Sequence, residues 1–288
     1  LRFRDRAELA AAAFGRLTGT SVAGLWVAGA LDALAGPVVA VVGTRAPSDA
    51  GRRLARRLAA DLGRAGVCVV SGLALGIDAA AHEGALAAGA PTIGVLGGGH
   101  RRFFPPRNEA LARTMIAGGG AVVSPYAPDA PALPWQFLAR NAIVAALADG
   151  VVVVEAAARS GALNTASWAA DRAIPVMAFP GDVDRPKAAG CLALIRDGAT
   201  LVRGAADVLA QLGPAPAEAP APAVRDDGPA DVLGGRILAL LAAGPASGDD
   251  VIATTGAPPS LVLARLGELL AAGVVATGAD GRYGRTAG

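Results

Sequence analysis

Short apolar runs alternate with amphipathic stretches from Pro37 to about Leu212. The apolar runs predict strands at 38–43, 67–71, 92–96, 120–124, 150–155, 174–179 and 200–203. Two of them, VCVVS and VVVVE, lack the period-two alternation of a half-buried strand, as expected where a parallel sheet is covered on both faces. The stretches between them predict helices near 48–65, 76–89, 107–118, 135–148, 161–172, 188–197 and 205–212. The first of these is the clearest. Ser48 or Asp49 can cap it, and Leu54, Leu58 and Leu62 share one face. Arg52, Arg53, Arg56 and Arg57 take the other side, with Asp61 one turn beyond Arg57, so this arginine run reads as a solvated face before it reads as a DNA contact. Strand and helix in alternation imply a doubly wound α/β domain over residues 37–212.

The flanks carry different patterns. Residues 1–36 are alanine-rich and predict a helical lead-in, at most part of a larger module. Residues 213–231 form a Pro/Ala linker that proline stiffens and keeps out of a core. From 232 to 288 the order is a helix, a capped segment SGDDVIATTG, a helix opening on proline, and a hairpin turning at Asp280-Gly281. Three helices and a hairpin predict a small winged helix-turn-helix. Its third helix offers Arg265 beside Glu268, and the unit's charges balance, which disfavours strong duplex binding and leaves a protein contact equally open.

Composition narrows the function classes. The 288 residues are 53% hydrophobic and carry a net charge of only +2, so a nucleic-acid site has to be a local patch. Lys187 is the single lysine among 26 basic residues. Cys68 and Cys191 have the spacing of neither a metal site nor a disulfide framework, which suits a reducing cytoplasm. The apolar runs are strand-length or broken by charges and glycine, so no membrane span is expected. The chain opens on Leu1, and that opening does not read as a signal peptide.

Candidate chemistry gathers where the predicted strands end. Ligands of an open parallel sheet bind there, beside helix N-termini. The first strand runs into Gly43-Thr44-Arg45, where glycine allows close approach and Arg45 can hold a phosphate through two parallel hydrogen bonds. The second runs into Ser71-Gly72, with Gly76, Asp78 and His82 following. Ser71 and nearby backbone N–H groups could bind phosphate, Asp78 could cap the next helix, and a lone His82 reads as a structural group before a catalytic one. A third loop, GGGHRRFFPPR, sets Arg101, Arg102 and Arg107 among Phe103 and Phe104, a mixture that suits single strands. The stretch PALPWQFLARNA brings Trp135, Phe137, Arg140 and Asn141 together, with Trp135 as readily core as surface. The last turn follows Glu155, where Ser160-Gly161 opens a helix whose free N–H groups could cradle a phosphate and Asn164 lies in the first turn. The chain has no GxGxxG with a ribose-reading acid, no activated nucleophile and no partner carboxylate for Glu155. No cofactor and no metal site are expected.

The ordered set VVGTR, SGLALGIDAAAH, GVLGGG, FLARNAI, VVVVEA, SGALNTA and LIRDGA resembles the DNA-processing protein A (DprA, also called Smf) family over roughly residues 25–203. That resemblance implies a Rossmann-like core that binds single-stranded DNA without cutting it. It implies protection of incoming DNA in natural transformation, loading of the recombinase RecA, and a homodimer. It also implies that Gly43, Arg45, Ser71, Gly72, Gly76, Phe137, Arg140, Asn141, Ser160 and Gly161 line the DNA site, with Thr44, Arg101, Arg102 and Asn164 as further candidates. Two departures stand out: Ala142 replaces a usual arginine after Asn141, and Pro134-Trp135 stand where a basic residue is often found. The same superfamily includes nucleotide phosphoribohydrolases, in which Glu155 and Arg45 would be acid and phosphate clamp. Those enzymes carry a PGGxGT turn where this chain has RSGALNTA.

Overall fold

A computed structural model describes residues 1–5, 16–17, 22–213, 229–271, 274–278 and 282–286. It divides into two compact units, Leu1–Ala217 and Glu218–Gly288. In the first, the strands are β1 Arg2–Asp5, β2 Gly24–Gly29, β3 Val38–Val42, β4 Cys68–Ser71, β5 Thr92–Val95, β6 Ala121–Ser124, β7 Gly150–Val153, β8 Val176–Ala178 and β9 Thr200–Leu201. The helices are α1 Asp49–Arg64, α2 Ile77–Ala87, α3 Glu109–Ala117, α4 Pro134–Ala146, α5 Gly161–Ala170, α6 Ala189–Arg196 and α7 Ala205–Leu212. Every strand and helix expected between 38 and 212 is present, most of them within two residues of the predicted ends.

One sheet of nine strands holds the unit, in the order β1-β2-β6-β5-β4-β3-β7-β8-β9. Strands β3 to β9 run parallel to one another, while β2 runs antiparallel to β6 and β1 antiparallel to β2. Successive residues of β3 serve opposite faces, and all are buried. Val38, Ala40 and Val42 join the core beneath α4, α5 and α6, whereas Val39 and Val41 join the core beneath α1, α2 and α7. That two-sided burial is why the apolar runs show no alternation. The chain winds outward from β3 to β6 and then returns to place β7 against the other side of β3. Strand order therefore reverses between β3 and β7, the place where a doubly wound sheet opens a crevice at its carboxyl edge.

Of the helical lead-in expected over 1–36, Arg16 is helical, but Arg2–Asp5 and Gly24–Gly29 are the strands β1 and β2 and Asp32–Leu34 is a 3-10 turn; residues 6–15 and 18–21 lie outside the described residues. The stretch GLWVAG decides this locally. Leu25 and Val27 alternate into the core, and Trp26 meets Phe3 of β1 at 5.1 Å between ring centroids. That period of two is a strand's, whatever the alanine content around it. Most of the expected linker, 214–228, lies outside the described residues, as does the Asp280-Gly281 turn.

The second unit contains α8 Pro229–Ala243, α9 Gly248–Thr255, α10 Pro259–Ala271, and the antiparallel pair β10 Val275–Thr277 and β11 Tyr283–Arg285. Ser247 and Asp250 close a reciprocal capping box at the start of α9, and Gly256 ends it at φ 63°. Ile237, Leu241, Val251, Val262, Leu266 and Val275 form its core. Arg265 is tied to Glu268 at 2.6 Å.

Candidate nucleic-acid interface

At the β3/β7 reversal lies a cleft of about 430 Å³, lined by the turns that follow β3, β4 and β7 and by one face of α4. Its floor is built by backbone contacts that leave no room for side chains. The Thr44 N–H donates to the Glu155 carbonyl at 2.7 Å, and the Ile77 N–H to the Thr44 carbonyl at 3.2 Å. Gly76 sits at φ 87°, and a Cβ there would stand 2.4 Å from the Thr44 carbonyl oxygen. A Cβ on Gly43 would stand 2.6 Å from Ile77 Cγ1. Both glycines are therefore required for the turns after β3 and β4 to lock together, which joins them into the single pocket anticipated from sequence.

Beneath the second turn lie two buried ionisable side chains, Arg140 and Asp78, each bonded to backbone groups. Arg140 is only 3% exposed, and its Nη1 donates to the Val95 carbonyl at 2.5 Å. Gly72 permits this, since a Cβ there would fall 2.0 Å from the same Nη1. Asp78 accepts from the N–H groups of Gly72 at 3.1 Å and Ala74 at 3.3 Å. It thus braces the preceding loop, where sequence suggested a cap for its own helix. Asn108 completes the brace, donating to the carbonyls of Leu73 and Ala74 at 2.9 and 3.0 Å and holding Leu73 at φ 54°. Burial pushes the Asp78 carboxyl up, against the pull of Arg140 and of the two N–H groups. Burial brings Arg140 down to about 10, with Asp78 opposing the shift, so the guanidinium stays charged at neutral pH.

The exposed wall is different in kind. The Arg45 guanidinium lies over the Phe137 ring at 5.3 Å, and Phe104 meets the same ring at 5.7 Å and 61°. Phe137 is half-buried because its ring rests on Gly97, where a Cβ would come within 2.8 Å. Opposite stands the N-terminus of α5. Ser160 caps it by accepting from the Ala162 N–H at 3.3 Å, and Gly161 is exposed with open space about its Cα. Asn141 donates to the Gly161 carbonyl at 3.3 Å and to Asn164 Oδ1 at 3.2 Å, pinning that helix end to α4. Arg159, which sequence reasoning passed over, lines the cleft just before this cap. Its adjacency to Ser160-Gly161 in RSGALNTA was the available clue.

Of the expected DNA-site residues, Ser71, Gly76, Arg101, Arg102 and Asn164 are not among those that line the cleft, and neither is Glu155. Ser71 is 0% exposed and spends its hydroxyl proton on the Val41 carbonyl at 2.7 Å, so its side chain is a strand-to-strand tie with no face to a phosphate. Arg101 pairs with Asp129 at 2.9 Å, and it and Arg102 sit on the 3-10 turn after β5. Glu155 faces α1. It accepts from the Ser48 N–H at 3.1 Å and the Ser48 hydroxyl at 2.9 Å, and Gly51 leaves space for its carboxylate. Asp78 is thus the one carboxylate among the described residues that line the cleft, and it is buried and engaged. No three metal-ligating side chains gather among the described residues. Cys68 and Cys191 are free and buried, and burial raises their thiols to about 12 and about 11. No helix among the described residues is long and apolar enough to cross a membrane.

The chemistry on offer is that of an anion groove with an aromatic edge: guanidinium groups, helix-end N–H groups and stacked rings, without an acid–base pair. Comparison with known proteins leads to the same kind of molecule. The sequence model of the DNA recombination-mediator protein A family matches residues 16–213. A putative DNA processing protein DprA of Mycobacterium tuberculosis H37Rv is 40% identical over 278 residues, covering 95% of this chain and 71% of its own. The X-ray structure of DNA processing protein A from Streptococcus pneumoniae aligns with a TM-score of 0.62 at 41% identity, covering 66% of this chain and 67% of that one. The Helicobacter pylori protein, whose structure addresses its single-stranded DNA binding mode, aligns with a TM-score of 0.62 at 30% identity over 69% and 91% of the two chains.

Proposed function

The chain belongs to the DNA recombination-mediator protein A family, and from that premise we propose that the β3/β7 cleft grips single-stranded DNA without cutting it. The observation that carries this reading is the Arg45–Phe137 stack facing the Ser160–Gly161 helix end. A strand threaded between them would give a phosphate to Arg45 and the α5 N–H groups and lay a base on the aromatic edge. Bases of a duplex are already stacked on one another and cannot use that edge. Arg140 and Asn141 act in this reading as positioning residues, one beneath the Gly72 loop and the other on the α5 end, while Gly43 and Gly76 shape the floor.

Family membership supports the finer reading: protection of incoming DNA in natural transformation, transfer to RecA, and work as a homodimer in the cytoplasm. The three helices and strand pair of the second unit read as a winged helix. Its Arg265–Glu268 pair and exposed Leu261 and Leu263 favour a protein contact over strong duplex binding.

Titration of labelled oligothymidine against a duplex of equal length, over a range of salt, tests the central claim. The single strand should bind more tightly, with log affinity falling linearly in log salt. Equal or tighter duplex binding, or indifference to salt, would refute it. Removing residues 213–288 should leave single-strand affinity within about threefold, a change of under about 0.7 kcal/mol. A loss beyond tenfold would move the DNA site into the second unit.

A further inference from the structure

Five of the eleven aromatic residues lie between Phe103 and Phe137. Phe103, Phe104 and Phe137 have places in the core or the cleft wall, while Trp135 has neither. It is 59% exposed, the most exposed of the aromatic side chains among the described residues, and it stands at the start of α4. Its setting is rigid. Pro134 opens the helix, buried Gln136 accepts from the Leu133 N–H at 2.6 Å, and Tyr126 holds the indole edge-to-face at 6.1 Å and 88°. A large ring left open on a braced element loses little conformational freedom when something stacks on it.

What would stack there follows from continuity with the cleft. Leu138 is 52% exposed, borders the Arg45–Phe137 groove, and lies one helical turn from Trp135. Leu138 therefore stands between Phe137, with which it shares the groove, and Trp135, one turn back along α4. We propose that Trp135 is a second stacking station, taking the base next to the one on Phe137. The ligand class is a nucleobase of a single strand, read by its π-face, and every base has one. This rests on the single-stranded DNA reading above. A base stacked on the indole involves no charged side chain. Binding at this station should therefore depend little on salt, whereas a cation there would have steepened the dependence.

The test is a set of oligothymidines of increasing length, titrated into the full chain by anisotropy of the labelled DNA and by intrinsic tryptophan fluorescence. Trp135→Ala should weaken binding about fivefold to a hundredfold, the effect of losing one stacked base, with the salt slope unchanged. Trp135→Phe should keep most of the affinity but lose most of the fluorescence change, since Trp26 packs on Phe3 and Trp168 lies beneath Arg172. Unchanged affinity in Trp135→Ala, with wild-type binding intact, would overturn the second station and leave the single-strand reading standing. Altered self-association on Trp135→Ala without a change in DNA affinity would assign the patch to a second copy of the chain and also overturn it. Failure of the wild-type chain to bind any oligothymidine would remove the reading itself, and the station with it.

Discussion

Arg45→Glu is expected to weaken single-stranded DNA binding by about ten- to a hundredfold at moderate salt while leaving the fold intact. Two losses combine. A charge-assisted contact to phosphate contributes about 1.5–3 kcal/mol. The new carboxylate also repels the backbone it replaces a grip on. Arg45 is exposed, and the turn that carries it is held by backbone bonds from Thr44, so stability has little stake in the side chain. The slope of log affinity against log salt should fall by about 0.7, one phosphate's share for a single strand. Arg45→Lys should fall between, because a lysine keeps the charge but neither the fork nor the flat face over Phe137. Melting curves for the three proteins should coincide. A Glu variant that binds like wild type would place the DNA elsewhere.

Much of this site was legible along the chain, for a physical reason. Strand ends are marked by a change from apolar runs to glycine and polar residues, and the topology of a doubly wound sheet then brings successive ends together. Gly43, Arg45, Gly76, Phe137, Ser160 and Gly161 are residues of that kind, each identified by local pattern. What escaped depends on contacts between distant segments. Nothing local distinguishes Arg140, hydrogen-bonded to Val95 forty-five residues away and nearly fully buried, from a surface arginine. Ser71 turns its hydroxyl to Val41 across the sheet, and Asn141 spends its amide on a helix end twenty residues ahead. Asp78 and Asn108 converge on the Gly72–Ala74 loop from opposite directions in the chain. At Gly24–Gly29 the departure from the expected helical lead-in comes from the pairing of β2 with β6, a contact between distant segments that local propensity does not see.

The second large effect concerns His82, whose structural reading the fold bears out and sharpens. The ring is 0% exposed, and Nδ1 lies 2.8 Å from the Thr92 hydroxyl, whose own proton goes to the Val69 carbonyl at 2.6 Å. Thr92 can therefore only accept from the ring, so Nδ1 carries the hydrogen and Nε2 is the bare nitrogen. Protonation would place a charge at buried Nε2, and burial, helped by the nearby Arg140 charge, lowers the group to about 3. An unfolded His82 takes up its proton near the ordinary imidazole value of 6.5. Between those limits the unfolded chain holds one more proton than the folded one, so stability is complete above the upper limit and is lost as pH falls toward the lower. The slope is about 1.4 kcal/mol per pH unit, and across the window it amounts to roughly 5 kcal/mol, a large share of an ordinary domain's stability. His82→Asn keeps an N–H donor for Thr92 and removes the titrating nitrogen. It should cost about 1–2 kcal/mol near pH 8 from the smaller side chain. Its urea midpoint should then fall less with acid than the wild type's, so that the two curves cross at about pH 5. Parallel curves would mean that His82 does not govern the acid limb. A crossing would tie acid tolerance to one ring on α2, the same helix whose Asp78 braces the loop that floors the cleft.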